Sequence, residues 1–272
     1  MAYAETYKLI ELIITNIDCT IIIDSIAQIG ATDSYLISTH NTKWLGINKS
    51  YTIDSDDYLV TDIVPNTSFT ITLTTGQSVP VASSMTIDAP NFYNGTFNMT
   101  AGERAKLDND VRNNDFIYFN EPSTDVIYTD ELDARDRDSN CQLFFMKESN
   151  YQDWTNLQHY NYCIAATGNL KNAFIQACKN TSFVGEMNQS HTSENHVKWG
   201  VISTKGHTTT IFNEQLSGKM ADITIPFLKQ DCDFNAYNPP SSGSIDLVIN
   251  FNGTEYYNQE ITEDTTINIV YT

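Results

Sequence analysis

The sequence predicts an α+β fold: an antiparallel sheet packed by one or two helices in the middle of the chain, with β-rich segments at both ends. Three observations predict it. Short β-branched runs bounded by turn residues recur through residues 1–90. One stretch, Cys141 to Cys178, carries apolar residues at helical spacing. Near the C-terminal end, Asn252-Gly253 separates two alternating runs, the strongest short-range hairpin signal.

Taken in order, Tyr7 to Thr15 and Cys19 to Asp24 are rich in isoleucine and read as strands, with a turn at Asn16 to Asp18. Further strands are expected at Ser34 to Ser38, Ser50 to Ile53, Tyr58 to Val64 and Ser68 to Thr74. The stretch SYTIDSDDYLVTDIVPNTSFTITLTTG alternates strand and turn at a spacing that indicates an antiparallel sandwich or barrel. Its rhythm resembles that of small immunoglobulin-like or transthyretin-like modules, so an Ig-like β-sandwich is expected over residues 1–90. Residues 75–99, with Pro80, Pro90 and Asn94-Gly95, read as loop and as a module boundary.

A second region, residues 100–237, is expected to be an α+β core. Thr100-Ala101-Gly102-Glu103 has capping-box spacing and predicts a short helix to about Val111. Phe116 to Phe119 reads as a strand stopped by Glu121-Pro122, and Cys141 to Met146 as a buried strand. Two helices follow, near Trp154 to Ala166 and Leu170 to Lys179, parted by Gly168 with Asn169 as N-cap. Leu170, Phe174 and Ala177 form the stripe that should lie on a sheet. Strands are then expected at His196 to Ser203 and Met220 to Leu228, the latter at an edge or ending at Pro226. Asn238 to Gly243 reads as a linker. Beyond it, Ser244 to Phe251, Thr254 to Ile261 and Thr265 to Tyr271 make a β extension over residues 244–272, too small to bury a core alone.

Charge narrows the functional classes. Fifteen basic and thirty-four acidic residues give a net charge of −19, which opposes binding of bare nucleic acid. The five cysteines (Cys19, Cys141, Cys163, Cys178, Cys232) are widely spaced with no C-x-x-C pair, the pattern of free thiols in a reducing compartment. The opening MAYAETYK shows no basic region followed by an apolar core, so no signal peptide is expected. No apolar run is long enough to span a bilayer.

Candidate chemistry is sparse. His191 and His196, with Glu194 between and Glu186 upstream, offer metal-ligand types, but no cysteine completes the set and a polar loop is expected. Asp54, Asp56 and Asp57 lack the glycine and later glutamate of a calcium loop. Asp125 to Asp138 carries six carboxylates interleaved with Arg135 and Arg137, and reads as a charged loop. His159 and Cys163 stand four apart on the expected helix, yet Cys163 sits between Tyr162 and Ile164 and reads as a buried structural thiol. No G-x-S-x-G, H-E-x-x-H or glycine-rich phosphate loop is present. The expectation is therefore a non-enzymatic protein without catalytic residues, metal or cofactor.

The phrases FIYFNEP, CQLFFMKESNYQDWTNLQHYNY and LSGKMADITIPF, in the order strand, acidic loop, strand, helices, strand, strand, carry a family resemblance. Over about residues 112–235 the chain resembles the core of tailed-bacteriophage tail-completion and head–tail connector proteins. That resemblance implies a structural protein of the virion, assembled in the host cytoplasm into a homo-oligomeric ring or collar beside neighbouring virion proteins. The acidic 125–138 segment and the terminal β segments would then make or decorate the contacts. A second class fits the β-rich ends: a carbohydrate- or receptor-binding surface protein presenting Trp44, Tyr256 or Tyr257.

Overall fold

The computed structural model describes residues 5–104, 115–129, 135–150, 153–187, 190–199, 201–204, 207–210, 215–229, 245–251 and 254–261. By packing the chain divides into two units, Met1–Lys229 and Gln230–Thr272.

The first element corrects the sequence expectation. Tyr7 to Thr15 reads as a strand, but Thr6–Thr15 is a helix, α1. Its buried residues Leu9, Ile10, Ile13 and Ile14 recur at one-, three- and four-residue steps, with Ile17 continuing the stripe, while Glu11 is exposed. That is the helical period. Isoleucine's β-propensity is weak beside the burial this stripe gains against the core.

Strands β1 (Thr20–Ile22), β2 (Ser25–Gln28), β3 (Ser34–Ser38), β4 (Ser50–Ile53), β5 (Asp56–Val64) and β6 (Ser68–Thr72) follow. Five of them form an antiparallel sheet in the order β2-β3-β6-β5-β4. Asp54 and Ser55, at φ 53° and 78°, join β4 to β5 in a turn with two successive left-handed residues, the geometry that matches strand twist. Along β5 the buried residues are Tyr58, Val60 and then Ile63. A register shift between Val60 and Asp62 supplies the extra residue that returns Ile63 to the core face.

Residues 75–99, expected to be a boundary loop, carry two strands instead. β7 (Ser84–Thr86) pairs with β1, and β8 (Asn91–Gly95) pairs parallel with the strand that begins at Phe116. No period-2 run announces either. The helix α2 (Phe97–Arg104) begins three residues before the expected cap: Thr96 Oγ1 accepts the Met99 N–H, so Thr96 is the capping residue and Thr100 is interior and buried. Its expected continuation to Val111 lies outside the described residues.

β9 (Phe116–Ile127) and β10 (Arg135–Glu148) form a long antiparallel pair. β9 runs through Pro122 because the register shifts between Asn140 and Gln142, and a bulge accommodates the missing N–H. Much of the expected acidic loop is therefore strand.

After Thr155 caps it through a reciprocal bond with Gln158, one helix runs on as α3: Asn156–His159, a π turn at Tyr160–Ile164, then Ala165–Asn180. Gly168 does not break it, and Asn169 is an interior residue rather than a cap. β11 (Thr192–Trp199), β12 (Val201–Thr204), β13 (His207–Thr210) and β14 (Leu216–Leu228) complete the unit. The second sheet runs β11-β14-β10-β9-β8, and β12 pairs with β13. β14 is thus an interior strand, yet Pro226 lies past its last pair with β11. On that side, among the described residues, Val184 and Gly185 flank it, with the Gly185 N–H donating to Pro226 O at 2.7 Å. An interior ladder bond is not lost.

One apolar core links α1, both five-stranded sheets and α3, from Leu9 to Phe227. Leu170, Phe174 and Ala177 are buried as the stripe predicts, and the Phe174 and Phe145 rings stand 5.8 Å apart. The other face of the second sheet carries a separate cluster, Tyr93, Phe116, Tyr118, Phe144, Met146, Trp199, Leu216 and Met220. In the second unit, β15 (Ile245–Phe251) pairs antiparallel with β16 (Thr254–Ile261). The strand expected at Thr265 to Tyr271 lies outside the described residues.

Candidate functional site

The structure disperses the candidates that the sequence groups. His191 Nε2 stands 3.1 Å from Lys171 Nζ, whereas His196 lies edge-on to Phe144 with Glu194 Oε2 3.9 Å from its Nε2. The expected polar loop is β11 from Thr192 onward. Among the described residues no three His, Cys, Asp or Glu side chains gather as metal ligands. Asp54 accepts the Val81 and Ala82 N–H groups, Asp57 accepts from Thr52 Oγ1 at 2.6 Å, and Asp56 from Tyr58 and Ser78. Three carboxylates with three separate duties do not make a cation loop.

In the acidic segment, Arg137 Nη1 lies 3.7 Å from Asp125, Arg137 Nε 3.6 Å from Asp136, and Arg135 Nη1 3.5 Å from Asp138. Asp130, Glu131 and Asp133 lie outside the described residues. The Cys163 thiol is fully buried and donates to Ser217 O at 3.3 Å; burial pushes it up to about 12. A thiol so held is no nucleophile near neutral pH. Trp44 is only 3% exposed and its indole donates to Asp88 O, so it cannot serve as a stacking platform. The side chains of Tyr256 and Tyr257 lie outside the described residues.

What the fold does assemble is a polar groove of about 360 Å³ between α3, the end of α1 and the loop at residues 39–44. That loop is wound by its own side chains. Asn41 Oδ1 accepts the Lys43 N–H at 2.7 Å, and Thr42 Oγ1 accepts the Asn66 N–H at 3.0 Å. Lys43 takes φ 47° there, which sends its chain inward. Its Nζ donates to Asp18 Oδ2 at 2.8 Å and to Asp18 O, holding the Asp18 carboxyl below its ordinary value.

Amides line the rest. Asn66 and Asn169 exchange hydrogen bonds at 2.8 and 3.2 Å, and Asn169 Nδ2 also donates to Lys43 O at 2.9 Å. Gln176 donates to Asn180 and Asn16 to Thr181. Asn172, exposed on α3, keeps its amide free for an incoming group among the described residues. A wall of this kind offers paired donors and acceptors, the chemistry that hydroxyl- or amide-bearing groups satisfy. The groove carries exposed His40 at its rim, 3.5 Å from Asp24 Oδ2. Sequence reasoning missed it because its amides come from four distant segments with no shared period.

No family of known proteins, no curated protein and no solved structure matches this chain.

Proposed function

We propose that the chain is a non-enzymatic structural protein of a tailed-phage virion, one subunit of a ring or collar at the head–tail connection or in the tail. The observation that carries this reading is the middle of the fold: β9, β10, α3, β11 and β14 set one long helix on an antiparallel sheet, in the order the family resemblance implies. The N-terminal five-stranded sheet would serve as an Ig-like module grafted onto that core, and β15–β16 as a β extension. A two-stranded element of that size needs a partner surface to be stable. A ring supplies one through a head-to-tail contact between different patches of identical subunits. The net charge of −19 supports keeping nucleic acid at a distance from such a ring rather than binding it. Mass measurement and electron microscopy of the purified chain, alone and mixed with head and tail proteins, test the reading. Closed oligomers or incorporation into particles are expected; a chain that stays monomeric under both conditions removes it.

The amide groove favours a second reading, a surface protein that binds carbohydrate. Its hydroxyl-matching wall would take a polar sugar face without aromatic stacking. A glycan array separates the two, since the ring reading expects no sugar retained.

A further inference from the structure

On the side of α3 away from the groove, three basic side chains lie along one face with no carboxylate at ion-pair distance among the described residues. Lys219 on β14 lays its aliphatic stem over Gly168: a Cβ there would stand 3.0 Å from Lys219 Cε. One turn further along the same helix face is Lys171. Lys171 Nζ reaches His191 Nε2 at 3.1 Å, and Lys219 Nζ donates to Asn195 Oδ1 at 2.6 Å. All three basic residues are half-exposed, and no carboxylate among the described residues lies within ion-pair distance of any of them.

Acidic residues outnumber basic ones by thirty-four to fifteen, yet the charge that acts on Lys171 is that of another lysine. Burial and then Lys219 push Lys171 down, while burial and then Lys171 push His191 down. Like charges held together at a cost, with hydrogen-bond donors still unused, mark a place built for an anion.

We propose that Lys171, Lys219 and His191 form a binding site for a phosphate group. The donor geometry favours phosphate over carboxylate. Each ammonium spends one N–H on its protein partner and keeps two, and His191, accepting at Nε2, carries its proton on Nδ1. Two point charges supplied by a helix and a neighbouring strand suit a compact tetrahedral dianion, whereas a lone carboxylate suits the planar fork of an arginine. Gly168 gives the Lys219 stem room to lie over the helix one turn from Lys171, since a Cβ there would stand 3.0 Å from Lys219 Cε.

The test is a titration of the full chain with inorganic phosphate at constant ionic strength near neutral pH, followed by calorimetry and by the His191 ring resonances. Saturable binding is expected, with His191 shifting. Lys171→Gln and Lys219→Gln should each weaken it about tenfold or more, the loss of one charge-assisted contact, and Lys179→Gln, elsewhere on α3, should not. Glycerol phosphate tells the source: equal affinity indicates a phosphate carried on a larger molecule, and binding of inorganic phosphate alone indicates the free ion. Shifts that grow linearly without saturation, binding unchanged in both glutamine variants, or acetate binding as well as phosphate each overturn the proposal.

Discussion

Lys147 Nζ lies 2.8 Å from Asp115 Oδ2, with the two side chains only 5% and 4% exposed. The pair bridges the strand β10 and the residue preceding β9, and the same ammonium donates to Trp44 O at 2.9 Å in the N-terminal half of the core. One charge therefore ties the second sheet to the loop that builds the groove. Such a pair need not outperform an apolar substitute, because both ions give up their hydration.

Lys147→Met should cost about 3–5 kcal/mol, since Asp115 loses the ammonium bonded to it and Trp44 O loses its donor, with Lys49 left as the other cation that acts on Asp115. The double variant Lys147→Met with Asp115→Asn should recover part of that loss, because the buried carboxylate charge is then gone as well. Urea unfolding followed by tryptophan fluorescence measures both. A double variant as unstable as the sum of its two single ones would show that the residues do not act as a pair.

Thiol reactivity should split by position. Cys141, Cys163 and Cys178 are buried, with Cys163 and Cys178 pushed up to about 12 and Cys141 raised by burial as well. Cys19 is only half-buried, and that partial burial raises its thiol. In native protein a thiol reagent near neutral pH should modify Cys19 well before those three, which stay untouched until denaturant is added. Peptide mapping reads the sites; native labelling of Cys163 would contradict its packing under Ser217.

Much of this architecture is legible in the sequence, and the failures have physical causes. Strands Ser34–Ser38 and Ser50–Ile53 coincide with their expected bounds because alternation and turn residues agree there. The stripe Leu170, Phe174, Ala177 reads correctly because it is long and periodic. Tyr7 to Thr15 misleads because local β-propensity and the helical period conflict, and tertiary burial decides. Gly168 suggests a break where it serves instead to admit Lys219. Both sites lie beyond sequence reading for one reason: α3 brings Asn169 beside Asn66 and Lys171 beside His191, and only the packed helix creates those neighbours.

The His191 imidazole should titrate below an ordinary histidine, because burial and the Lys171 ammonium both disfavour its protonation. The folded state then binds fewer protons than the unfolded chain, so this group's contribution to stability is present above the unfolded histidine value near 6.5 and is lost as pH falls through the lower folded value. Lys171→Gln should move the resonance back upward and flatten that part of the stability–pH curve. Proton NMR of the ring against pH measures it. An unchanged midpoint in the variant would place the cause in burial alone.

The reciprocal amide bond of Asn169 with Asn66, together with its bond to Lys43 O, joins α3 to the loop that carries the groove. Asn169→Ala should cost about 1–2 kcal/mol, the net worth of one or two partly solvated hydrogen bonds. Hydrogen exchange should quicken at residues 39–44 before it does in the sheets, since local opening follows the weakest attachment. Uniform destabilisation without local loosening would mean the amides do not anchor that loop.

Two glycines that look alike in sequence should respond oppositely to alanine. At Gly218 a Cβ would fall 2.0 Å from Phe145 O and 3.0 Å from Met146 Cα, backbone atoms of the paired strand that cannot turn aside. Gly218→Ala must push β14 and β10 apart along the central ladder, and a loss of about 3 kcal/mol or more is expected from that overpacking. At Gly168 the atom in the way is Lys219 Cε, the far part of a flexible chain. There the helix gains about 1 kcal/mol of propensity, offset in part by displacement of the lysine, so Gly168→Ala should leave stability level or slightly higher. Thermal unfolding of the two variants separates the cases. The same Gly168→Ala substitution should weaken phosphate binding while the fold stands, which divides the glycine's two roles in one protein: permissive in the helix, and necessary for the position of the Lys219 ammonium.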